Sequence, residues 1–309
     1  MGEFKSVGVV GGGLIGLSWA SLFLARGCAV TVVDPDPATG PRLRAFLREA
    51  WPHLETLGLT ESRAIPEATV TGAFATLAGA DLVQENGPER LDAKRAIIAE
   101  IEAAVDADAV IASSTSSLRA SDLQQGARHP DRILVAHPMN PPHLVPMVEL
   151  VSGQGTSTRA LEVAERFYAQ MRRVTIRVKR EVPGHLANRL TSALYREAVN
   201  LVAEGIADVA DVDKAIAYGP GMRWAFMGPH LTYHLGGGPG GYRGYLDHLG
   251  PTQEARWQSL GTPRLTEEVK AALVEGVQRE LEAQDEATLV ARRDAALVAL
   301  LQLKAAQNL

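Results

Sequence analysis

The sequence predicts an α/β protein in which a Rossmann-type, doubly wound, mainly parallel sheet is followed by an all-helical carboxyl-terminal domain. Two observations lead to this prediction. In the first half, short β-branched runs alternate with helical patterns. Beyond residues 179–184, which combine charges with Pro and Gly, only amphipathic helical patterns follow. We expect residues 1–182 to form the first domain and residues 183–309 the second.

The first elements are a strand at residues 7–10, a glycine turn and a helix, and a second strand at 29–33. The turn has the GxGxxG spacing of a dinucleotide site. Its first glycine permits a tight turn, the second lets the backbone approach a pyrophosphate, and the third allows close packing of the helix. The helix start then faces the phosphates. The residues expected at the cofactor are Gly11, Gly13, Leu14, Ile15 and Gly16.

The second strand ends in Asp34, at the spacing expected for an acid that binds the adenosine ribose hydroxyls. Asp36 adds negative charge where the 2′-phosphate of NADP would lie. The pair therefore favours NAD over NADP as the cofactor.

Further strands are predicted at 81–83, 109–112 and 132–136, with a helix at 92–104. Polar residues follow each strand, and ligands of doubly wound sheets bind beyond the carboxyl ends of the strands. The residues in question are Glu85, Asn86 and Glu89, then 113–117, and then His137. We therefore expect the site at this edge of the sheet.

The segment 136–150 carries the most chemistry. His137 ends one apolar run, and Glu149 lies in the next run, after a turn rich in Pro and Asn. If the chain reverses there, the two side chains can meet. A carboxylate on the far nitrogen of an imidazole fixes the tautomer and stabilises the protonated ring, so the pair suits a general base. A buried histidine beside an unrelated surface glutamate is the alternative.

The second half begins, after a strand-like stretch at 174–178, with a long apolar helical stripe from His185 onward. Two more amphipathic helices are predicted at 265–281 and 289–303. Helices of this composition favour a domain that packs on a partner subunit.

Between these helices lies an unusual stretch, 219–229. Arg223 could grip the carboxylate of a substrate or pair with an acid of the same fold. Trp224 is expected to pack, although its face could contact a cation. His230 and His234 have the spacing of zinc ligands on a helix, but no acidic or cysteine partner is near in sequence, and no metal is predicted.

Composition limits the class of protein. The 309 residues are 46% hydrophobic and carry a net charge of −5 without basic blocks, so nucleic acid is not an expected partner. The single cysteine, Cys28, fits a reducing compartment, and we expect a cytoplasmic protein. The uncharged run 6–25 is long enough to span a bilayer, but its glycines favour a strand and turn, so neither a membrane segment nor a targeting segment is predicted.

Together these motifs resemble the L-3-hydroxyacyl-CoA dehydrogenase family over nearly the whole chain. The match includes the glycine fingerprint with Asp34, the 85–94 stretch, the 114–118 stretch, His137 with Glu149, and 183–189. The resemblance implies a homodimer through the helical domain, with His137 as general base and Glu149 as its partner. It also implies Ser116 and Asn188 as groups that bind the substrate hydroxyl, Asn140 as a supporting residue, and Glu89 and Lys94 near the nicotinamide half of NAD.

The stretches 137–142 and 221–229 are similar to the branch of the family that uses free acids, which includes λ-crystallin/L-gulonate 3-dehydrogenase and L-carnitine dehydrogenase. Two residues depart from the family pattern. His185 stands where the family usually has Phe, and His143 where this branch often has Tyr. Both are candidates for lining the substrate pocket.

The predicted reaction is NAD-linked oxidation of a 3-hydroxy acid to its 3-oxo acid, on a substrate similar to L-gulonate, L-carnitine or 3-hydroxybutyrate. One alternative is a 3-hydroxyacyl-CoA dehydrogenase with the same dyad, which needs no carboxylate clamp. The other is a non-catalytic NAD-binding protein of the crystallin kind.

Overall fold

The structure is a computed structural model that describes residues 4–282 and 285–308. The chain forms two compact units. The first runs to Arg189 and also takes in Asp294–Leu301 of the last helix, and the second comprises Leu190–Arg293 and the chain from Gln302 onward. The first unit therefore extends beyond the predicted boundary at residue 182.

The first unit is built on a sheet whose eight strands all lie in the described part of the chain. They are β1 (Ser6–Val10), β2 (Ala29–Val33), β3 (Thr69–Thr71), β4 (Leu82–Glu85), β5 (Val110–Ser113), β6 (Ile133–Pro138), β7 (Met147–Ser152) and β8 (Val174–Val178). The helices of this unit are α1 (Leu14–Ala25), α2 (Thr39–Thr56), α3 (Leu91–Ala104), α4 (Ala120–Leu123) and α5 (Thr158–Gln170).

The strand order is β3-β2-β1-β4-β5-β6-β7-β8. Neighbouring strands are parallel except β6 and β7, which form an antiparallel pair. Because β1, β4, β5 and β6 run in the same direction, the chain segments that follow them emerge at one edge of the sheet. These are the glycine turn and the segments that begin at residues 86, 114 and 139.

The sheet is covered by a hydrophobic core on each face. Adjacent strand residues alternate between the two cores, as the period of two requires: Val9 packs with Trp19 and Phe23 of α1, and Val10 packs with Ile98 of α3. Helices on both faces of a mainly parallel sheet confirm the predicted fold class.

The sequence analysis missed four elements of the first unit: β3, α2, α4 and α5. It did not predict β3, which has only three residues and shows no clear alternation. It did not predict α2 either, where Pro52 lies inside the helix and weakens the local helical pattern.

All secondary-structure elements in the described residues of the second unit are helices, joined by loops and turns. Its helices are α6 (Ala187–Ala203), which begins in the first unit, α7 (Val209–Ala217), α8 (Pro220–Trp224), α9 (Pro229–Gly236), α10 (Gly241–Ser259), α11 (Glu267–Leu281) and α12 (Glu286–Ala306), which contributes Asp294–Leu301 to the first unit. In the ranges 4–282 and 285–308, no helix has the length and apolar character needed to cross a membrane.

Candidate active site

The glycine turn between β1 and α1 has the geometry that a dinucleotide requires. Gly11 has φ +97°, and an added Cβ there would meet the backbone oxygen of Asn86 at 2.6 Å. A Cβ on Gly16 would collide with the carbonyl oxygen of Gly11. Gly13, by contrast, faces open space, with no atom within 4 Å of an added Cβ. Two glycines therefore allow the close backbone packing, and the third leaves room at the start of α1.

Asp34 lies directly beside this turn. Its Oδ2 accepts a hydrogen bond from the N–H of Gly12 at 2.5 Å, and its Oδ1 accepts one from the N–H of Asp36 at 2.8 Å. Asp36 also pairs with Arg42 at 2.5 Å, so part of the negative charge expected to repel a 2′-phosphate is neutralised. A cavity of about 530 Å³ opens beside both acids and Val70. It could hold an adenosine.

His137 and Glu149 form a buried pair. They lie directly opposite one another in the antiparallel pairing of β6 with β7, and His137 Nδ1 is 2.8 Å from Glu149 Oε2. The exposed fraction is 5% for His137 and 0% for Glu149. The chain reversal at residues 139–146 therefore brings the two side chains together.

The second carboxylate oxygen of Glu149 is also occupied. Oε1 accepts hydrogen bonds from the backbone N–H groups of Leu186 at 2.7 Å and Ala187 at 2.9 Å, where α6 begins. Burial by itself raises the pKa of Glu149. The hydrogen bonds from His137 and from the two N–H groups outweigh burial, so the pKa lies below its ordinary value. The carboxylate is ionised at neutral pH and accepts from an Nδ1–H, so in the neutral form of the ring the lone pair of His137 is on Nε2.

Ser116 lies in the loop that follows β5, and Glu89 holds this loop. Glu89 Oε1 accepts hydrogen bonds from Thr115 Oγ1 at 2.6 Å and from the backbone N–H groups of Ser116 and Ser117, both at 3.0 Å. The hydroxyl groups of Ser116 and Ser117 also donate to it. Asn188 contacts the same loop, since its Nδ2 donates to the carbonyl of Ser116 at 3.2 Å.

Burial alone raises the pKa of Glu89 as well. Hydrogen bonds from the loop and the charge of Lys94 reverse this effect, and the pKa is lowered overall. Glu89 is therefore an anion that organises the serine loop.

Lys94 stabilises the residues around Glu85 and Gly87 through hydrogen bonds. Its ammonium group is buried and donates to both oxygens of Glu85, at 3.0 and 3.1 Å, and to the carbonyl of Gly87 at 3.0 Å. The Oε2 of Glu89 is 3.7 Å away. Because an ammonium has three hydrogens and all are used, Lys94 acts on the site through its neighbours. No local sequence pattern indicated that Glu85 would be its partner.

One cavity of about 370 Å³ lies within the first unit and is bordered by His137, Ser116, Asn188, Glu89 and Lys94. The lining comprises Ile15, Asn86, Gly87, Glu89, Lys94, Ser114, Ser116, His137, Pro138, Met139, Asn140 and Asn188. Beneath it, Gln84 donates to Ser114 Oγ at 2.9 Å, Ser114 donates to Asn86 at 2.7 Å, and Tyr168 donates to Gln84 at 2.5 Å. The floor of the cavity is thus a satisfied, buried hydrogen-bond network.

The two histidines that depart from the family pattern lie in different places. His143 is buried, with Nδ1 2.8 Å from Ser18 Oγ and its ring edge-on to Phe46. It packs against α1 and α2 and does not line the cavity. His185 is also buried and does not line the cavity either, but its ring centroid is 5.3 Å from that of His137.

Arg223 and Trp224 end α8 in the second unit, and both are exposed. Within the described part of the chain, Arg223 forms no ion pair with an acid. His230 and His234 share one local hydrogen-bond partner. Nδ1 of His230 is 2.8 Å from the hydroxyl of Tyr242, and Nδ1 of His234 accepts from the N–H of the same residue at 3.1 Å.

Comparison with known protein families gives two adjoining matches. Residues 6–182 match the model of the 3-hydroxyacyl-CoA dehydrogenase NAD-binding domain, and residues 184–275 match that of the 3-hydroxyacyl-CoA dehydrogenase C-terminal domain.

Several known proteins are similar to this chain over nearly its whole length. The chain is 46% identical to L-carnitine dehydrogenase of Streptomyces griseus over 301 residues, which is 97% of this chain and 90% of that protein. It is 43% identical to the Bacillus cereus enzyme of the same name over 302 residues, 97% of this chain and 93% of the relative.

Two solved structures are also similar. One is an NAD-dependent 5-formyl-3-hydroxy-2-methylpyridine 4-carboxylic acid 5-dehydrogenase, with a TM-score of 0.84, 26% identity, and coverage of 97% of this chain and 98% of that one. The other is FadB2 of Mycobacterium tuberculosis, with a TM-score of 0.68, 29% identity, and coverage of 90% and 94%.

Proposed function

The chain belongs to the 3-hydroxyacyl-CoA dehydrogenase family, and we propose that its reaction is the reversible oxidation of L-carnitine at the 3-hydroxyl group. It is an NAD-dependent oxidoreductase that acts on the CH–OH group of a hydroxy acid. The observation that carries the proposed chemistry is the buried contact of His137 with Glu149 beside a cavity that Ser116 and Asn188 also border. The choice of L-carnitine rests on relatives that match 97% of the chain.

In this proposal His137 is the general base. Its Nδ1–H is held by Glu149, so Nε2 is the atom that takes the proton of the substrate hydroxyl. The ionised Glu149 then stabilises the imidazolium. In the reverse direction the same nitrogen returns the proton to the ketone oxygen.

NAD supplies the hydride-accepting chemistry when bound. The residues present fit it: Gly13 leaves space at the start of α1, Asp34 lies beside the turn, and Glu89 places a negative charge at the cavity. Leu14, Ile15 and Asn140 complete the residues that we assign to the cofactor.

Ser116 and Asn188 are proposed to hold the substrate oxygen next to Nε2 of His137. The two residues are already joined by the hydrogen bond from Asn188 to the Ser116 carbonyl, and Glu89 restrains the serine loop. A fixed oxygen position removes the entropy cost of aligning the alcohol with its base.

The substrate carboxylate is assigned to Arg223, which is exposed and free of ion pairs in the described residues. Trp224 is assigned to the trimethylammonium end, because quaternary ammonium groups bind aromatic faces. We propose that this second recognition element separates L-carnitine from 3-hydroxybutyrate and L-gulonate, which have no cation.

The test is NADH formation by the purified protein across four substrates: L-carnitine, L-gulonate, 3-hydroxybutyrate and a 3-hydroxyacyl-CoA. We expect kcat/KM to be highest for L-carnitine, with D-carnitine as the stereochemical control. A higher kcat/KM for the CoA thioester would replace this proposal with the acyl-CoA reaction, which the descriptions of the two matching family models favour. Absence of turnover with every hydroxy acid would favour the non-catalytic reading.

We further propose that the protein is a homodimer through its helical unit. One face of α6 exposes Leu190 (65%), Leu194 (38%) and Tyr195 (57%), more apolar surface than a solvated helix needs. Light scattering coupled to size exclusion should give twice the mass of the 33.0 kDa chain. A cytoplasmic location is part of the same proposal and rests on the single, buried cysteine.

A further inference from the structure

We infer that His185 is a positioning residue of this site: a permanently neutral imidazole whose Nε2–H ties the serine loop to the His137–Glu149 pair. The inference rests on the proposed function for the roles of the dyad. It assigns His185 a place beside the reacting groups without contact with the substrate.

The position of His185 is what distinguishes it from other buried side chains. Its ring lies 5.3 Å from the ring of His137, centroid to centroid. Its Nε2 is 3.3 Å from the carbonyl oxygen of Thr115, the residue before Ser116. The two backbone N–H groups that follow it in the chain bind Glu149 Oε1. One residue thus contacts the base and the serine loop, and its own backbone leads into the donors that hold the carboxylate.

The backbone of His185 is unusual as well. Its φ is +51°, in the left-handed region that a residue with a Cβ seldom adopts, and it follows Gly184 at φ +76°. This turn aims the first N–H groups of α6 at Glu149. The side chain is held in place there, with an exposed fraction of 1%.

The hydrogen-bond partners define the protonation state. A carbonyl oxygen can only accept, so the nitrogen that faces Thr115 carries the hydrogen. Nδ1 is buried and has no hydrogen-bond partner in the described part of the chain, so it has no acceptor for a second proton. The neutral Nε2–H tautomer is therefore the form that fits.

The surrounding charges act in both directions. Burial is the largest effect and lowers the pKa of His185, and His137 lowers it further. The hydrogen bond to Thr115 and the carboxylates of Glu149 and Glu89 raise it. The resulting pKa of His185 lies below the ordinary value. A neutral His185 also suits the chemistry. A second cation beside His137 would oppose the imidazolium that forms when His137 takes the substrate proton.

The decisive kinetic test compares two substitutions, His185→Phe and His185→Gln. Phe keeps an aromatic ring but cannot donate to Thr115, whereas the side-chain amide of Gln can. If His185 positions the loop through its hydrogen bond, His185→Phe lowers kcat by about tenfold or more, because small displacements of reacting groups are costly. His185→Gln stays much closer to the wild type, and KM for NAD is nearly unchanged in both.

The matched control is His129→Phe, at an exposed histidine, which should leave kcat unchanged. A purely packing role predicts the opposite order, with Phe better tolerated than Gln. That order, or equal losses in the two variants, would overturn the inference. These kinetics are measured with whichever hydroxy acid the wild type oxidises. If the wild type does not oxidise L-carnitine, the proposed substrate is refuted, but the comparison of His185→Phe with His185→Gln can still be made.

A spectroscopic measurement tests the proton state directly and needs no activity. In protein labelled with ¹⁵N-histidine, the resonances absent from His185→Gln should show a protonated Nε2 and an unprotonated Nδ1 from about pH 5.5 to 8.5. Titration of His185 within that range, or the Nδ1–H tautomer, would contradict the inference.

Discussion

His137 and Glu149 face each other across the one antiparallel strand pair of the described sheet, with Nδ1 of the histidine 2.8 Å from Oε2 of the glutamate. The pairing register itself brings them together, so neither side chain depends on a flexible loop. The other carboxylate oxygen is held by two backbone N–H groups. Because both oxygens of Glu149 are hydrogen-bonded, the carboxylate is held in place and in turn fixes the orientation of the His137 ring.

Replacing the base should abolish turnover and spare the cofactor site. We expect His137→Ala to lower kcat about 100- to 10,000-fold, the usual contribution of general base catalysis. NAD affinity, measured by fluorescence titration, should change little, because His137 is not part of the glycine turn. His129→Ala, at an exposed histidine, is the control. Wild-type turnover in His137→Ala would exclude the assigned base.

Glu149→Gln should reduce kcat by about a hundredfold or more, since an amide cannot stabilise the imidazolium. It should also change the pH dependence of stability. The pKa of Glu149 lies below its ordinary 4.5, so its ionised form stabilises the folded protein above that pH, and this contribution is lost as pH falls through the lowered pKa.

Urea denaturation should therefore show that the wild type is more stable than Glu149→Gln at pH 7 and that the difference shrinks in acid. A difference that is constant from pH 7 down to about 3 would argue against the lowered pKa of Glu149.

Two glycines of the turn should respond in opposite ways to substitution by Ala. Gly16→Ala places a Cβ against the carbonyl of Gly11 and should cost about 1–3 kcal/mol of unfolding free energy or more. Gly13→Ala meets no atom within 4 Å and should leave stability unchanged. Its methyl group should nevertheless raise KM for NAD, because it occupies the space that the pyrophosphate needs. Equal stability losses in the two variants would contradict this division.

Asp34 should decide the choice between the two nicotinamide cofactors. We expect Asp34→Ser to lower kcat/KM for NAD about tenfold or more, the value of hydrogen bonds to a charged group, and to lower it less for NADP. The control is Asp108→Ser, which changes the net charge by the same amount but removes an acid whose side chain is 81% exposed. If both variants keep the wild-type ratio of kcat/KM for NAD to kcat/KM for NADP, Asp34 does not bind the adenosine ribose.

Arg223 should distinguish a free acid from a thioester. Arg223→Ala should raise KM for L-carnitine about tenfold or more and alter KM for a 3-hydroxyacyl-CoA little, because the thioester has no carboxylate at that position. Arg243→Ala is the control, since this arginine lies in an exposed pair with Asp247. Equal effects on both substrates would remove Arg223 from the assigned carboxylate site.

Local sequence patterns were enough to predict the fold class and the dinucleotide site. The alternation of β-branched runs with amphipathic helices predicted the fold class, and the glycine spacing with Asp34 predicted the NAD site, because both depend on residues close in sequence. Even the meeting of His137 with Glu149 follows from two apolar runs joined by a breaker-rich turn.

Tertiary structure decided the partners that are distant in sequence. Glu89 restrains Ser116 across 27 residues, and Lys94 donates to Glu85 with its ammonium fully buried. The two unusual histidines look equivalent in the sequence, yet His143 packs on Ser18 and Phe46 while His185 lies against His137. The sequence by itself determined the fold class and most strands of the sheet, since periodicity and turn chemistry act locally, but it did not reveal β3 or α2. Which polar side chains share a buried site depends on how those elements pack, because only the packed protein excludes water, and most buried polar groups then need a partner within the protein.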